Sequence, residues 1–186
     1  METLIKNFPK QLKEAIEISN NLKPIPDTKD VREVLIVGMG GSGIGGDFVQ
    51  SIVFEDCSVP VLVIKGYELP AFINENSLVI VSSYSGNTEE TIHAFQTALQ
   101  KKCRIVCLSS GGTIEKEALK NNIPFVAVPA GYPSPRACLG FSVVLQLAIL
   151  LKYNLIKSSL FEHIQIATDL IKFEQDEIQN LPLIHI

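Results

Sequence analysis

A chain of 186 residues, 46% hydrophobic and 19% charged, is long and apolar enough to bury one full core, which excludes extensive disorder. Its 16 Lys and Arg against 20 Asp and Glu leave a net charge of −4 and a pI of about 5.4 with no basic run. That balance argues against nucleic acid or an anionic membrane surface as partner.

Leu4, Phe8, Leu12, Ile16 and the apolar positions from Ile18 to Leu22 open the chain at helical spacing and predict an amphipathic helix within residues 1–30. Its interspersed charges leave no apolar signal-peptide core. Residues 34–37 are an aliphatic, β-branched run that ends abruptly in glycines, a first strand, and 43–54 reads as the helix after it. A second strand follows at 61–64 and a third at 78–81, then a helix over 88–101, a fourth strand at 104–108, a short helix over 112–121 and a fifth strand at 125–128. A proline-rich loop leads into two more helices, 137–152 and 158–179. The strands are short, apolar without alternation and separated by helices, as in a parallel sheet covered on both faces. The expected fold class is therefore α/β, a doubly wound α-β-α sandwich with a five-stranded parallel sheet and right-handed crossovers.

The residues 137–151 form the most apolar stretch, but they contain Gly140, Ser142 and Gln146 and fall short of the roughly 20 residues that span a bilayer. Cys57, Cys103, Cys107 and Cys138 have no CxxC spacing, and His93, His163 and His185 lie far apart. No zinc set or secreted disulfide framework is suggested; reduced core cysteines in a cytoplasmic protein are expected.

In doubly wound sheets ligands sit beyond the carboxyl ends of the strands, near the point where strand order reverses, so the loops leaving the strands carry the chemistry. The first contains Gly38, Gly40, Gly41, Ser42, Gly43, Gly45 and Gly46. Bare backbone N–H groups beside a helix start suit an anion. Gly38, Gly40 and Gly43 also match the dinucleotide pattern GxGxxG, yet the second strand ends in Lys65-Gly66-Tyr67 without the carboxylate that binds ribose hydroxyls. Lys65 leaves room for a 2′-phosphate, so an NADP oxidoreductase stays open as an alternative, as does a tight turn packed for its own sake. The second loop, 82–91, places Ser83, Ser85 and Thr88 around one turn, with Asn87 and Glu90 spaced as an N-cap pair. Hydroxyls at a helix start make a phosphate cradle that needs no lysine, provided Glu89 and Glu90 face solvent. In the third, 131–136, Pro133 and Pro135 stiffen the approach to Arg136, a cation set where a helix dipole disfavours one.

VGMGGSGIGGD at 37–47, SSYSGNTEET at 82–91 and GYPSPRACLG at 131–140 together resemble the sugar isomerase (SIS) domain, and within it the bifunctional phosphoglucose/phosphomannose isomerases. The likeness runs over about 31–151. It implies a flavodoxin-like SIS domain at 31–155, an N-terminal helix at 1–30 packing on it, and a C-terminal helix and the start of a second half at 156–186. The activity it implies is aldose–ketose isomerisation of glucose 6-phosphate or mannose 6-phosphate with fructose 6-phosphate, without metal or organic cofactor. Matched position by position, Ser83, Ser85 and Thr88 would bind the phosphate, Gly40, Gly41 and Ser42 would line the sugar site, and Arg136 would stabilise a cis-enediolate. Members of the family carry two SIS halves, and their base, histidine and lysine lie in or near the second. No base is carried onto this chain; Glu162 and His163, adjacent on a helix, point about 100° apart. A non-catalytic phosphosugar-binding module built on the same loops is the alternative. The apolar circumference of helix 137–152 and the apolar end at 181–186 lead us to expect a second SIS domain, or a homodimer partner, packed on that helix.

Overall fold

The computed structural model describes residues 2–25 and 30–174. The elements in chain order are α1 (Glu2–Lys6), α2 (Phe8–Asn20), β1 (Glu33–Val37), α3 (Gly40–Ile52), β2 (Val61–Ile64), β3 (Ser77–Ser82), α4 (Glu89–Gln100), β4 (Arg104–Ser109), α5 (Gly112–Lys120), β5 (Phe125–Ala127), a 3₁₀ turn (Pro135–Cys138), α6 (Leu139–Lys152) and α7 (Ser159–Phe173). The single opening helix expected from the periodicity is two, parted at Asn7, because Pro9 belongs in a first helical turn rather than an interior. The predicted C-terminal helix runs to Phe173, and its expected last residues, like the apolar end, lie outside the described residues.

Five parallel strands form one sheet in the order β2-β1-β3-β4-β5. Alternate side chains point to opposite faces of a strand, and here both sets are apolar. Val34, Ile36, Leu78 and Ile80 face a core shared with α2, α3 and α6. Leu35, Val37, Val79 and Val81 face Ala94, Phe95 and Ala98 of α4 and Ile114 and Ala118 of α5.

Helix α6 corrects an expectation. It is buried nearly all round, but the cover comes from this chain: the sheet and α3 on one side, and α2, with α7 beyond it, on the other. Gln11 of α2, itself buried, seals the join. Its Nε2 donates to the Ala137 carbonyl at 2.8 Å and its Oε1 accepts from Gly140 N at 2.7 Å, at the start of α6. A segment more than a hundred residues upstream thus supplies the surface that local reading assigned to a partner. Residues 135–152 are the one helical stretch among the described residues long and apolar enough to cross a bilayer, and this packing accounts for that character.

All four cysteines are free. Cys107, in the middle of β4, has its thiol pushed up to about 12 by burial, and burial also pushes Cys103 and Cys138 up to about 11. An unfolded thiol ionises near its ordinary value of 9.0 and the folded one only near 12, so this contribution is intact below pH 9 and is lost between 9 and 12. Melting temperature is therefore expected to fall through that window. Cys107→Ala should show a shallower fall, which a pH series of thermal melts would check.

Candidate functional site

Strand order reverses between β1 and β3, whose carboxyl ends lie side by side at the Val37–Val81 pair. The two chain segments leaving that point are the glycine-rich and serine-rich ones, so the topology brings together what the sequence set forty residues apart.

The glycine-rich segment is less a loop than a helix start. α3 begins at Gly40, three residues before the expected Gly43, because extended Met39 serves as N-cap and its carbonyl accepts from Ser42 N at 3.1 Å and Gly43 N at 3.3 Å. The N–H groups of Gly40 and Gly41 precede those bonds, and no side chain caps them. Gly40 sits at φ +52° with open space where a side chain would be, leaving its backbone accessible. Gly41 lies against the third loop: a Cβ there would stand 2.8 Å from Arg136 N and from Pro135 C. Buried Ser42 points its Oγ across to the serine turn, accepting from Tyr84 N at 3.3 Å.

Beyond β3, Ser83 N extends the ladder by bonding the Leu108 carbonyl at 3.0 Å. Gly86, at φ +65°, turns the chain back, and its N–H reaches the Ser83 carbonyl at 3.0 Å and Ser83 Oγ at 3.2 Å. Ser83 is buried and shares a hydrogen bond with Thr88 through their hydroxyls at 3.1 Å. Ser85 is exposed, and its Oγ accepts from Asn87 N at 3.2 Å, which leaves the hydroxyl hydrogen free to point outward. α4 then starts at Glu89 after extended Thr88, again with no side-chain cap.

The predicted capping of this helix by Asn87 and Glu90 is not what forms. Asn87 Oδ1 instead accepts from Thr113 N at 3.0 Å and Thr113 Oγ1 at 2.9 Å, at the start of α5. The Gly86 carbonyl takes the next N–H, that of Ile114, at 3.0 Å. The physical reason is that α5 begins on Gly111 and Gly112, which have no side chain to cap with, and Asn87 is the polar group brought within reach. Of the three helix starts here, then, α5 is closed by neighbours while α3 and α4 stay open. Glu89 is exposed and Glu90 half-buried; the Tyr67 phenol beside them titrates above its ordinary value, through loss of solvent first and then through these two carboxylates.

Arg136 lies exposed in the 3₁₀ turn before α6, its backbone against Gly41. Among the described residues its guanidinium makes no ion pair and no hydrogen bond to Ser83, Ser85 or Thr88. It borders a groove of about 440 Å³ shared with Leu4, Phe8 and Ile171. Lys65, which left room for a 2′-phosphate, is ion-paired with Asp47 of α3, so the cation that favoured the dinucleotide alternative is already matched. Glu162 and His163 lie exposed on α7, which packs on α2.

Sequence reasoning passed over Ser109, Ser110 and Tyr132. Ser110 donates to the Tyr84 carbonyl from N at 3.0 Å and from Oγ at 2.6 Å. The run Ser109-Ser110-Gly111-Gly112-Thr113, which begins on the last residue of β4, has the hydroxyl-and-glycine composition of the serine turn, and that likeness was the available signal.

The family model of the SIS domain matches residues 29–150. The chain is 36% identical over 177 residues to the bifunctional phosphoglucose/phosphomannose isomerase of Caldicellulosiruptor bescii, covering 94% of this chain and 52% of that one. It is 36% identical over 116 residues to the protein of the same name from Aquifex aeolicus, covering 62% and 36%. It thus spans about half the length, or less, of these relatives. The C-terminal domain of glucosamine-fructose-6-phosphate aminotransferase from Francisella tularensis shares the fold, with a TM-score of 0.64 at 15% identity over 93% of this chain and 53% of that one. With the glycine turn, the serine turn and the whole parallel sheet inside the matched span, the chain belongs to the SIS domain family.

Proposed function

We propose that this chain binds the phosphate of a hexose 6-phosphate between the starts of α3 and α4, as the sugar-phosphate-binding half of a phosphoglucose/phosphomannose isomerase. The observation that carries this is the selective opening: two helix starts at the switch point are uncapped and ringed by hydroxyls, while the neighbouring third is closed by Asn87. Two positive dipole ends at adjacent strand exits favour a dianion, and hydroxyls complete its coordination. On this reading Ser85 and Thr88 donate to the phosphate and buried Ser83 holds Thr88 in place. Gly40, Gly41 and Ser42 bound the sugar, with Gly40 giving close access to backbone. Arg136 meets negative charge as it develops on an enediolate, a use suited to a guanidinium carried on a proline-stiffened turn.

Interconversion of an aldose and a ketose moves a proton between C1 and C2, which requires a base. The proposal assigns that base to no residue of this chain. A second SIS domain or a second subunit supplies it, and 1–30 and 156–186 flank the binding domain at 31–155. The relatives' names support the reaction, and a reduced cytoplasmic setting fits the free cysteines.

Fructose 6-phosphate at about 100 times its Kd should stabilise the fold by about 2.7 kcal/mol, a rise in Tm of about 5–10 °C for a chain of this size. Ser85→Ala and Arg136→Ala should each remove most of that rise. An unmutated protein whose melting is unmoved by millimolar fructose 6-phosphate would overturn the proposal.

A further inference from the structure

Tyr84 stands between Ser83 and Ser85, and every polar group it owns is spent on a different exit loop. Its N–H donates to Ser42 Oγ at 3.3 Å, in the first turn of α3 beyond β1. Its carbonyl accepts from Ser110 N at 3.0 Å and Ser110 Oγ at 2.6 Å, beyond β4. Its phenol accepts from Tyr132 N at 2.9 Å and donates to the Tyr132 carbonyl at 3.4 Å, beyond β5. One residue of the β3 exit thus ties down the exits of β1, β4 and β5.

The phenol is the consequential tie. Tyr132 is held on its other side by an edge-on contact with Phe141 of α6, ring centroids 5.6 Å apart. From Tyr132 the chain runs through Pro133 and Pro135 to Arg136, and prolines leave few backbone torsions to absorb a shift. Fixing Tyr132 therefore fixes the Arg136 backbone, which already rests on Gly41. Burial, the largest influence, raises the Tyr84 phenol above its ordinary value; the hydrogen bond with the Tyr132 backbone pulls the other way, and Cys138 beside it adds to the rise.

We infer that Tyr84 is a positioning residue: its main chain locks the phosphate turn to the α3 and β4 exits, and its phenol sets where Arg136 meets the sugar. The inference deepens the reading under Proposed function and rests on it. It separates two recognition tasks within one site, phosphate by the turn and sugar by the arginine, with Tyr84 as their mechanical link.

Tyr84→Phe tests this, because it keeps the ring and both main-chain ties and removes only the bonds to Tyr132. Two measurements on the full chain are needed. In amide hydrogen exchange without ligand, Tyr132 N–H should exchange at least tenfold faster in the variant, while Gly86 N–H stays as protected as before. In titrations, fructose 6-phosphate should bind about tenfold more weakly, inorganic phosphate should bind within twofold of the unmutated chain, and adding Tyr84→Phe to Arg136→Ala should produce no further loss. Unchanged exchange at Tyr132, equal weakening for phosphate and fructose 6-phosphate, or a full additional loss in the double variant would each overturn the inference. An unmutated chain that binds neither ligand would defeat the functional reading instead, and the exchange experiment would still decide whether the phenol holds the loop.

Discussion

Gly86→Ala is expected to destabilise the fold by about 3 kcal/mol or more, the sum of a left-handed backbone penalty and an overlap that no rotamer relieves. Gly86 sits at φ +65°, and a Cβ there would lie 1.8 Å from the Gly111 carbonyl oxygen and 2.7 Å from Ser109 Oγ. The nearest obstacle is backbone, so the serine turn and the β4 exit would have to part, taking with them the bonds that Asn87 and Gly86 make to α5. Gly131→Ala is the comparison. It also carries a positive φ, +94°, but nothing lies within 4 Å of its Cβ, so only the backbone penalty of about 1–2 kcal/mol applies. Urea denaturation of the two variants measures the difference. Equal losses would mean that the two exits are not locked together as described.

Gly41→Ala is expected to weaken binding far more than folding. Its backbone is helical, so alanine gains about 1 kcal/mol of helix propensity, which offsets part of the strain from a Cβ placed 2.8 Å from Arg136 N and Pro135 C. What must yield is the Pro135–Arg136 backbone. A displacement of about 1 Å in a positioned group can lower a rate about a hundredfold, and a tenfold loss of fructose 6-phosphate affinity, about 1.4 kcal/mol, is the smallest effect expected. Because the effect passes through Arg136, Gly41→Ala should add nothing in an Arg136→Ala background. Calorimetric titration of the two single variants and the double variant reads this directly. Additive losses would show that Gly41 acts on the ligand by another route.

The strands were legible to within a residue or two because burial on both faces writes an unbroken apolar run into the chain, a signal needing no knowledge of neighbours. The serine and glycine turns were legible for the same reason of locality. Asn87 was misread because its spacing to Glu90 is a local signal, whereas its actual partner, the start of α5, is close only in the folded chain. Helix α6 was misread in the same way: its apolar circumference was visible, but its cover, α2, lies at the far end of the chain. The glycines mix two purposes that spacing cannot separate. A Cβ at Gly45 would meet Ser142 Oγ at 2.2 Å, a matter of helix packing, whereas Gly40 faces open space. Tyr84 carries no motif signal for its role, since the work is done by main-chain groups and by a phenol aimed at a residue forty-eight positions away.

Backbone amide shifts followed during a fructose 6-phosphate titration test the central claim most directly. The two uncapped helix starts should respond, at Gly40 and Gly41 and across Ser85 to Glu90, while the N–H groups of Thr113 and Ile114, already taken by Asn87 and Gly86, stay in place. Perturbations confined to the start of α5, or absent from both turns, would contradict it.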